Sequence, residues 1–511
     1  MHPTYDVFII GGGINGATIA CKLSAKGMTI ALCDEKDLSG ESTSHNNKLF
    51  QCGFNHLENL DLTHVSNANK TRDILYQQIP HLMQPVDIVI PDAPSIRSSL
   101  KMKAGTLLYG WLRNSQTSPK PHTQDIDNSH YSSPLASSPT QATLCQEFLL
   151  DDARLVVEYL LAAEKQHCQL LPQTKVTSGI RKNGVWHISL VDAIDGTETT
   201  VTARCIINAT GAQAYSVLEK ILGSATRCSQ PLEKQSYIVL PKFYEGDHGY
   251  MIQLPCKHFL NVLPHLANYC VVGPFTQATC LEKLSLVPNS EETRALLDLT
   301  NLHFHVNFTE QDICHAYATS RAITFDPNQP IHMLDLQCED GQSPILSIFS
   351  SHLTTHRTLA DQILECIQPY LPSLNQTASC YQLPGGDFSP DGFSSFINRL
   401  AELYPWMPCK LMTRYCKLYG ARTQELLSNK HDLNSLGQEI FPDLYEAEVY
   451  WLIEHEWATC AEDILLRRTK LFLTVNKNNI DTLNQWFTCN YKHQSKISQF
   501  PDILANQCKA S

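Results

Sequence analysis

The chain of 511 residues is 43% apolar and 18% charged, which is the composition of an ordinary folded protein. Its length exceeds what one hydrophobic core usually serves, so we expect two or three domains. The formal net charge of -12 argues against broad nucleic-acid binding, because proteins that track phosphates need an excess of Lys and Arg.

The cysteines and the apolar runs bear on the compartment. The 19 cysteines are scattered from Cys21 to Cys508 without a C-x-x-C pair, which predicts reduced thiols in a cytosolic protein. The start MHPTYDVFII has neither the basic stretch nor the cleavage site of a secretory signal. No apolar run reaches the roughly 18 residues of a membrane span. We therefore expect a cytoplasmic protein that meets a membrane only from its surface.

The N-terminal stretch YDVFIIGGGINGATIACKLSAKGMTIALCDEKDL has the order of a dinucleotide-binding unit: strand, Gly-x-Gly-x-x-Gly turn, helix, strand and acid. Gly11 permits the tight turn, Gly13 lets the backbone approach a pyrophosphate, and Gly16 lets the helix pack on the strand. The helix start then offers its amide groups to phosphates. Asp34 stands roughly 20 residues beyond the loop, where a carboxylate would hold ribose hydroxyls.

Residues 114–143, NSQTSPKPHTQDIDNSHYSSPLASSPTQAT, are rich in Ser, Thr, Pro and Gln. Such a composition buries too little apolar surface to order itself well, so we predict a mobile excursion here. A helix is predicted next, in LDDARLVVEYLLAAEKQ, with Asp151 and Asp152 near its start.

The rest of the chain reads first as strands and then as helices. A hairpin is predicted around Asp195 and Gly196, before a buried strand that ends at Gly211. The segments SYIVLP, GYMIQLP, HFLNVLP and NYCVVGP predict an antiparallel sheet that covers a pocket. Beyond Gly386 the pattern is helical to the end, with one apolar face formed by Leu444, Ala447, Trp451, Ala458, Ala461 and Leu465.

Several segments in this order resemble the FAD-dependent glycerol-3-phosphate dehydrogenases, which feed electrons to quinone. They are YDVFIIGGGINGA, LLDDARLV, IINATGA, ICHAYATSRAI, LSIFSSHLTTHR, LPGG and LYEAEVYWLIEHEWATCAEDILLRRTK. The resemblance spans nearly the whole chain, and its last segment is unusually specific. It implies an α/β fold that combines a Rossmann-like FAD-binding domain of the glutathione-reductase/D-amino-acid-oxidase type, an antiparallel-sheet substrate domain and a C-terminal helical domain.

The domains implied by the resemblance are discontinuous. Residues 1–75, 150–225 and 315–372 would form the FAD domain. Residues 76–149 and 226–314 would form the substrate domain, and residues 380–511 the helical domain. The resemblance implies that FAD is bound by the glycines and Asp34 named above together with Ile14, Asn15, Thr43, Ser44, Lys48, Gly211, Leu353 and Thr354.

The sequence departs from this family where the chemistry is expected. The family reads H-G-G-L-R-Y-L-E where this chain reads QCGFNHLE, so Gln51 replaces a histidine and Asn55 an arginine. In the family's G-G-K segment, His352 replaces the lysine. Arg321, in TSRA, keeps the family arginine and is expected to hold the substrate phosphate. His352 and His56 are the candidate bases, since imidazole titrates at about pH 6.5.

His352 and His356 stand four residues apart, a spacing that would suit zinc on a helix face. No H-E-x-x-H glutamate or further ligand pattern accompanies them, so no metal site is predicted. In the family the two positions hold a lysine and an aromatic residue.

A cluster of basic residues near the C-terminus has two possible locations. Arg467, Arg468 and Lys470 would face lipid headgroups, or would form a solvated helix end paired with Glu462 and Asp463. The sequence favours the second reading, and contact with the inner face of a membrane is implied mainly by the resemblance.

Three functions are open at this point. The first is oxidation of sn-glycerol 3-phosphate to dihydroxyacetone phosphate, with quinone as the acceptor. The second is a flavoenzyme with a changed substrate, because the pocket has lost cations while the cofactor loop is intact. The third is a catalytically impaired flavoprotein paralogue. The partners implied are a small phosphorylated polyol and a quinone, with a homodimer left open and no nucleic acid.

Overall fold

Two large β-sheets and a C-terminal set of helices make up the described part of the chain. The computed structural model describes residues 4–40, 43–51, 62–93, 95–96, 98–113, 118–226, 228, 231–255, 258–322, 333–338, 342–350, 352–371, 381–388 and 392–491. The predicted base His56 and the substituted position Asn55 lie outside these ranges.

The strands, in chain order, are β1 (Thr4–Ile10), β2 (Ile30–Cys33), β3 (Leu49–Phe50), β4 (Met83–Pro91), β5 (His122–Asp125), β6 (Gln141–Leu150), β7 (Gln169–Leu171), β8 (Thr174–Lys182), β9 (Val185–Asp192), β10 (Glu198–Asn208), β11 (Leu232–Pro241), β12 (Gly249–Gln253), β13 (Phe259–His265), β14 (Tyr269–Thr279), β15 (His315–Ala322), β16 (Met333–Gln337), β17 (Ile345–Ser350), β18 (Glu439–Phe441) and β19 (Leu444–Tyr445).

The α-helices are α1 (Ile14–Ser24), α2 (Leu62–Gln78), α3 (Ser99–Leu112), α4 (Asp152–Glu164), α5 (Ala214–Ser216), α6 (Ser290–His303), α7 (His356–Ile367), α8 (Phe393–Leu403), α9 (Cys409–Tyr419), α10 (Thr423–Leu426), α11 (Glu446–Glu456) and α12 (Lys477–Asn490). Among the helices of the described ranges, none is both long enough and apolar enough to cross a bilayer.

The first sheet has the order β16-β17-β10-β1-β2-β7, with β8 and β9 continuing from β10. β1 pairs in parallel with both β2 and β10, and all four residues of β2 are buried. Strands that are buried on both faces have continuous apolar sequences, and for this reason the sequence predicts the strands of the N-terminal dinucleotide-binding unit. The hairpin around Gly196 is confirmed as β9 and β10.

The second sheet has the order β15-β11-β14-β13-β12-β4-β6-β3, with β5 beside β6. The four segments predicted to form an antiparallel sheet are β11 to β14, and their pairing confirms that prediction. The domain boundaries stay a prediction. Residues His315–Ala322 pair with β11 in the second sheet, although the predicted boundary placed them with the first.

The prediction of a mobile excursion is wrong for residues 118–143. β5 pairs with β6, and Ile126 and Leu135 are buried in the core of the second sheet. The hydroxyls of Ser129 and Ser132 bond to neighbouring backbone groups and close the turns between these anchors. A few well-spaced apolar residues are therefore enough to fix a polar segment, which average composition does not reveal.

The C-terminal part is helical as predicted, but its apolar face does not belong to one helix. Leu444 lies in β19, α11 ends at Glu456, and Trp457 takes a left-handed conformation with φ 56°. The chain resumes as a π-helical turn at Asp463–Arg468. Leu444, Trp451 and Leu465 are nevertheless buried in one core. The predicted apolar face therefore reflects packing in a shared core and not a single continuous helix.

A buried ionic cluster joins this C-terminal part to the loop that follows β2. Asp37 accepts hydrogen bonds from Arg467 Nε at 2.5 Å, from Arg468 Nη1 at 2.9 Å and from Arg468 Nη2 at 2.8 Å. Arg467 also pairs with Asp463 and, at 3.0 Å, with Glu462. Asp37 is only 3% exposed, and both arginines are buried. The pairing with Glu462 and Asp463 is as predicted, but neither a lipid-facing nor a solvated position fits the two arginines.

Asp37→Asn should destabilise the protein strongly, because it removes the carboxylate that pairs with buried Arg468 and one of the carboxylates that pair with buried Arg467. Removing one partner of a buried pair costs about 3–5 kcal/mol. We expect a clear fall in the midpoint of urea unfolding. The matched control is Asp247→Asn: Asp247 pairs with Lys242 at 2.9 Å but is 82% exposed, so about 1 kcal/mol or less should be lost. Equal losses in both variants would contradict a dominant role for the cluster.

Candidate active site

A cavity of about 1210 Å³ lies where the two sheets meet. It is lined by the glycine loop, the end of β2, the segment after β10, the strands β11 and β15, and the residues that follow β17. Of the residues predicted to bind the cofactor or the substrate, it brings together Gly11, Gly13, Ile14, Asn15, Asp34, Thr43, Gly211, Arg321, His352, Leu353 and Thr354.

The glycine loop has the shape that its sequence predicts. Gly11 has φ 108°, and a Cβ atom there would lie 2.6 Å from the carbonyl oxygen of Ala209. Gly16 is even less replaceable, because its Cβ would lie 1.9 Å from the oxygen of Gly11. α1 begins at Ile14 on the cavity wall, so its N-terminal partial positive charge lies beside the cavity.

Two acidic residues mark the end of β2. Asp34 Oδ2 accepts a hydrogen bond from the Gly12 amide at 2.7 Å, and Oδ1 accepts one from the Lys36 amide at 2.9 Å. Glu35 pairs with Lys175 at 3.4 Å, and both side chains line the cavity. The sequence prediction named only Asp34. Lys175 lies in β8, far along the chain, and no local sequence pattern predicted that it lines the cavity.

These features fit a dinucleotide. The wall is open at Gly13, where an added Cβ would meet only Thr43 Oγ1, at 3.2 Å. Thr43 Oγ1 accepts a hydrogen bond from the Ile14 amide at 3.2 Å and so fixes the loop against the helix start. A helix N-terminus for phosphates and fixed carboxylates for ribose hydroxyls are the groups that such a cofactor needs.

Ser44 and Lys48 do not line the cavity. Lys48 Nζ donates to Asp152 Oδ1 at 2.8 Å and to the Ser44 carbonyl at 2.5 Å, and the Ser44 hydroxyl lies 3.2 Å from His45 Nδ1. Lys48 therefore neutralises a buried carboxylate at the start of α4. Its match to a family position could not reveal this, because Asp152 stands 104 residues away in the chain.

The second sheet contributes a polar wall, of which the sequence predicted only Arg321. Arg321 Nε donates to Glu233 Oε1 at 3.0 Å, Gln235 Nε2 donates to the same oxygen at 2.8 Å, and the Tyr237 hydroxyl donates to Gln235 Oε1 at 3.0 Å. All four side chains line the cavity. Burial raises the pKa of Tyr237, so its hydroxyl stays protonated and donates. The segment LEKQSY has no alternation of polar and apolar residues that could have revealed this wall, because four polar residues follow one another.

The two histidines after β17 have different environments. His352 lines the cavity, and its ring lies 5.3 Å from the ring of His64 in α2. His356 is fully buried, with Nε2 2.9 Å from the Tyr159 hydroxyl and Nδ1 2.6 Å from the Leu353 carbonyl oxygen. Burial lowers the pKa of His356 to about 3, so this ring is neutral and belongs to the core.

Other sequence expectations can be placed as well. Gln51 lines the cavity, with Nε2 3.8 Å from Met251 Sδ. Within the described ranges, no group of three potential metal ligands comes together, and the cysteines there are unpaired thiols.

The comparison with protein families identifies the family to which the chain belongs. Residues 6–336 match the family model described as FAD dependent oxidoreductase, and residues 376–488 match the C-terminal domain of alpha-glycerophosphate oxidase. The chain belongs to the FAD-dependent oxidoreductases. It is of the glycerol-3-phosphate dehydrogenase type, and its cofactor is FAD.

Individual relatives agree with this assignment. Glycerol-3-phosphate dehydrogenase of Pseudomonas aeruginosa is 30% identical over 504 residues, covering 97% of this chain and 98% of the relative. D-erythritol 1-phosphate dehydrogenase of Brucella abortus is 30% identical over 491 residues, covering 95% of this chain and 98% of the relative. The FAD complex of the Bacillus halodurans glycerol-3-phosphate dehydrogenase has a TM-score of 0.75 at 19% identity, over 99% of this chain and 93% of the other, and shows that the fold is shared.

Gly16→Ala should weaken FAD binding by about tenfold or more, because the added methyl group displaces the glycine loop from α1. The flavin-to-protein absorbance ratio after purification and a titration with free FAD would measure the loss. The control is Gly105→Ala in α3, where a Cβ meets nothing within 4 Å. This variant should keep its FAD. Full FAD retention by Gly16→Ala would show that the loop is not tightly packed.

Proposed function

We propose that the protein oxidises a secondary hydroxyl of a small polyol phosphate, for which sn-glycerol 3-phosphate, oxidised to dihydroxyacetone phosphate, is the reference substrate. The observation that carries this proposal is the position of Arg321. Its side chain is 47% exposed and lines the same cavity as the glycine loop. A cation in this position suits a phosphate monoester held beside the cofactor.

Arg321 is oriented for this purpose. Glu233 holds Nε, and within the described part of the chain neither Nη nitrogen has a hydrogen-bond partner. Both Nη groups can therefore donate to phosphate oxygens. Hydrogen bonds to charged groups contribute about 1.5–3 kcal/mol each.

His352 is the residue we assign to take the hydroxyl proton. FAD, when bound, accepts the hydride that leaves the substrate carbon. A neutral imidazole beside the hydroxyl accepts its proton, so that the carbonyl forms without a high-energy alkoxide. The neighbouring His64 ring, set at 71° to that of His352, limits the orientations of the base.

A flavoenzyme with a changed substrate is the second candidate. Glu233 favours it, because this carboxylate offsets the charge of Arg321 at the place where the substrate phosphate would bind. Gln51, at a position where the family carries a histidine, also favours it.

Anaerobic addition of sn-glycerol 3-phosphate to the purified holoprotein tests the proposal, since turnover bleaches the visible flavin spectrum. Arg321→Met should raise the KM for this substrate by about tenfold or more, because two charged hydrogen bonds are lost. Arg204→Met is the control: Arg204 is 54% exposed, pairs with Asp6 at 3.4 Å and is not among the residues that line the cavity. A flavin that dithionite reduces but no polyol phosphate reduces would refute the proposed function.

We also propose that electrons pass to quinone at a membrane surface. α3 supports this, because Leu107 and Trp111 are 76% and 74% exposed and stand four residues apart on one face of the helix. Lys103 precedes them by one turn and is also exposed. Apolar and aromatic side chains beside a lysine suit the boundary of an anionic bilayer.

Co-sedimentation with vesicles that contain or lack an anionic lipid tests this surface. The double variant Leu107→Ser/Trp111→Ser should bind at least about tenfold more weakly, since two large apolar side chains no longer enter the bilayer. The control Leu302→Ser/Leu403→Ser removes two exposed leucines from α6 and α8. Equal binding by the two double variants would exclude α3 as the contact.

A further inference from the structure

We propose that the side chains of Glu233, Gln235 and Tyr237 form a hydroxyl-binding row that adapts this site to polyol phosphates longer than glycerol. The inference rests on the proposed function and names the substrate class within it. The substrate phosphate lies at Arg321, and the additional hydroxyls of a four- or five-carbon chain lie along β11.

The three side chains form a row because alternate residues of a β-strand point to the same side of the sheet. Glu233, Gln235 and Tyr237 are alternate residues of β11, so they share one face, and that face lines the cavity. The hydrogen bonds between them, of 2.8 Å and 3.0 Å, fix each side chain relative to the next. Four residue steps along a strand span about 13 Å, so the row extends well beyond a single contact point.

The neighbouring strands widen the row into a polar floor. Thr319 of β15 and Thr276 of β14 stand directly opposite Gln235, one on each side, and both line the cavity. Residues directly opposite in antiparallel strands have adjacent side chains. The centre of the floor therefore presents an amide flanked by two hydroxyls. These are neutral groups that both donate and accept, as a polyhydroxylated chain requires.

Charge also favours hydroxyl recognition over a second anion site. Glu233 pairs with Arg321, the predicted phosphate ligand, and places a carboxylate within the substrate region. A carboxylate repels phosphate but is a strong acceptor for hydroxyl protons. For a three-carbon phosphate Glu233 only orients Arg321, whereas for a longer polyol it also supplies a directed contact to a hydroxyl.

The experiment compares kcat/KM for sn-glycerol 3-phosphate with the values for terminal phosphates of erythritol and ribitol, using the full-length holoenzyme and flavin bleaching. We expect at least one longer substrate to be favoured by about tenfold or more, the scale set by one or two well-placed hydrogen bonds. A preference for sn-glycerol 3-phosphate would overturn the inference and leave the proposed function standing. No bleaching by any of the three would refute the proposed function itself, and the inference with it.

Variants of the row test whether it determines substrate preference, because a residue with a purely structural role would not change the ratio of kcat/KM between long and short substrates. Gln235→Met should lower the long-to-short preference by about tenfold while FAD content stays unchanged. The matched control Gln277→Met changes an exposed glutamine of β14 that lies outside the cavity lining, and should keep the wild-type preference.

Glu233→Gln should affect short and long substrates in opposite directions. It keeps the shape of the side chain but removes the charge that offsets Arg321. The KM for sn-glycerol 3-phosphate should fall, while the advantage of the longer substrates should shrink by about tenfold. A uniform change for all three substrates would show that Glu233 only orients Arg321, and would overturn the row as a determinant of specificity.

Discussion

The pairing of one buried carboxylate with two distant arginines is the interaction on which the cofactor site depends. Asp37 stands three residues after Asp34, and the Ser39 amide donates to the Gly12 carbonyl oxygen at 3.1 Å. The loop that carries Asp37 is therefore hydrogen-bonded directly to the glycine turn. Arg467 and Arg468 hold this loop from the far side. The C-terminal part of the chain therefore fixes the geometry of a nucleotide site whose lining includes none of the described residues beyond α7.

The substrate side is joined to the same framework by a different set of contacts. The Tyr317 hydroxyl donates to the Asn46 carbonyl at 2.9 Å, and Asn46 lies in the segment that Lys48 anchors to Asp152. The second sheet is thus hydrogen-bonded to the loop that borders the cofactor. Arg321 stands on the same strand as Tyr317, so a short path of hydrogen bonds connects its strand to the loop that borders the cofactor site.

The sequence predicts the fold and the cofactor loop well, because strand, glycine turn, helix and acid are contiguous and each needs a particular residue type. It predicts much less of the substrate wall. Glu233 and Gln235 read as the solvated face of a strand, and only the packing of the two sheets turns that face inward. The burial of His356 could not be predicted for the same reason, because its partner Tyr159 stands 197 residues away in the chain.

The interleaving of the sheets has a consequence for biosynthesis. β1 precedes the other described strands in the chain, yet its parallel partner β10 begins at Glu198, and β17, which pairs with β10, ends at Ser350. The arginines that hold Asp37 arrive more than 100 residues later. At about 5–20 residues per second, the nascent N-terminal segment waits many seconds with an unpaired strand edge. Until β10 is synthesised, that edge offers unpaired backbone groups with which another chain can pair.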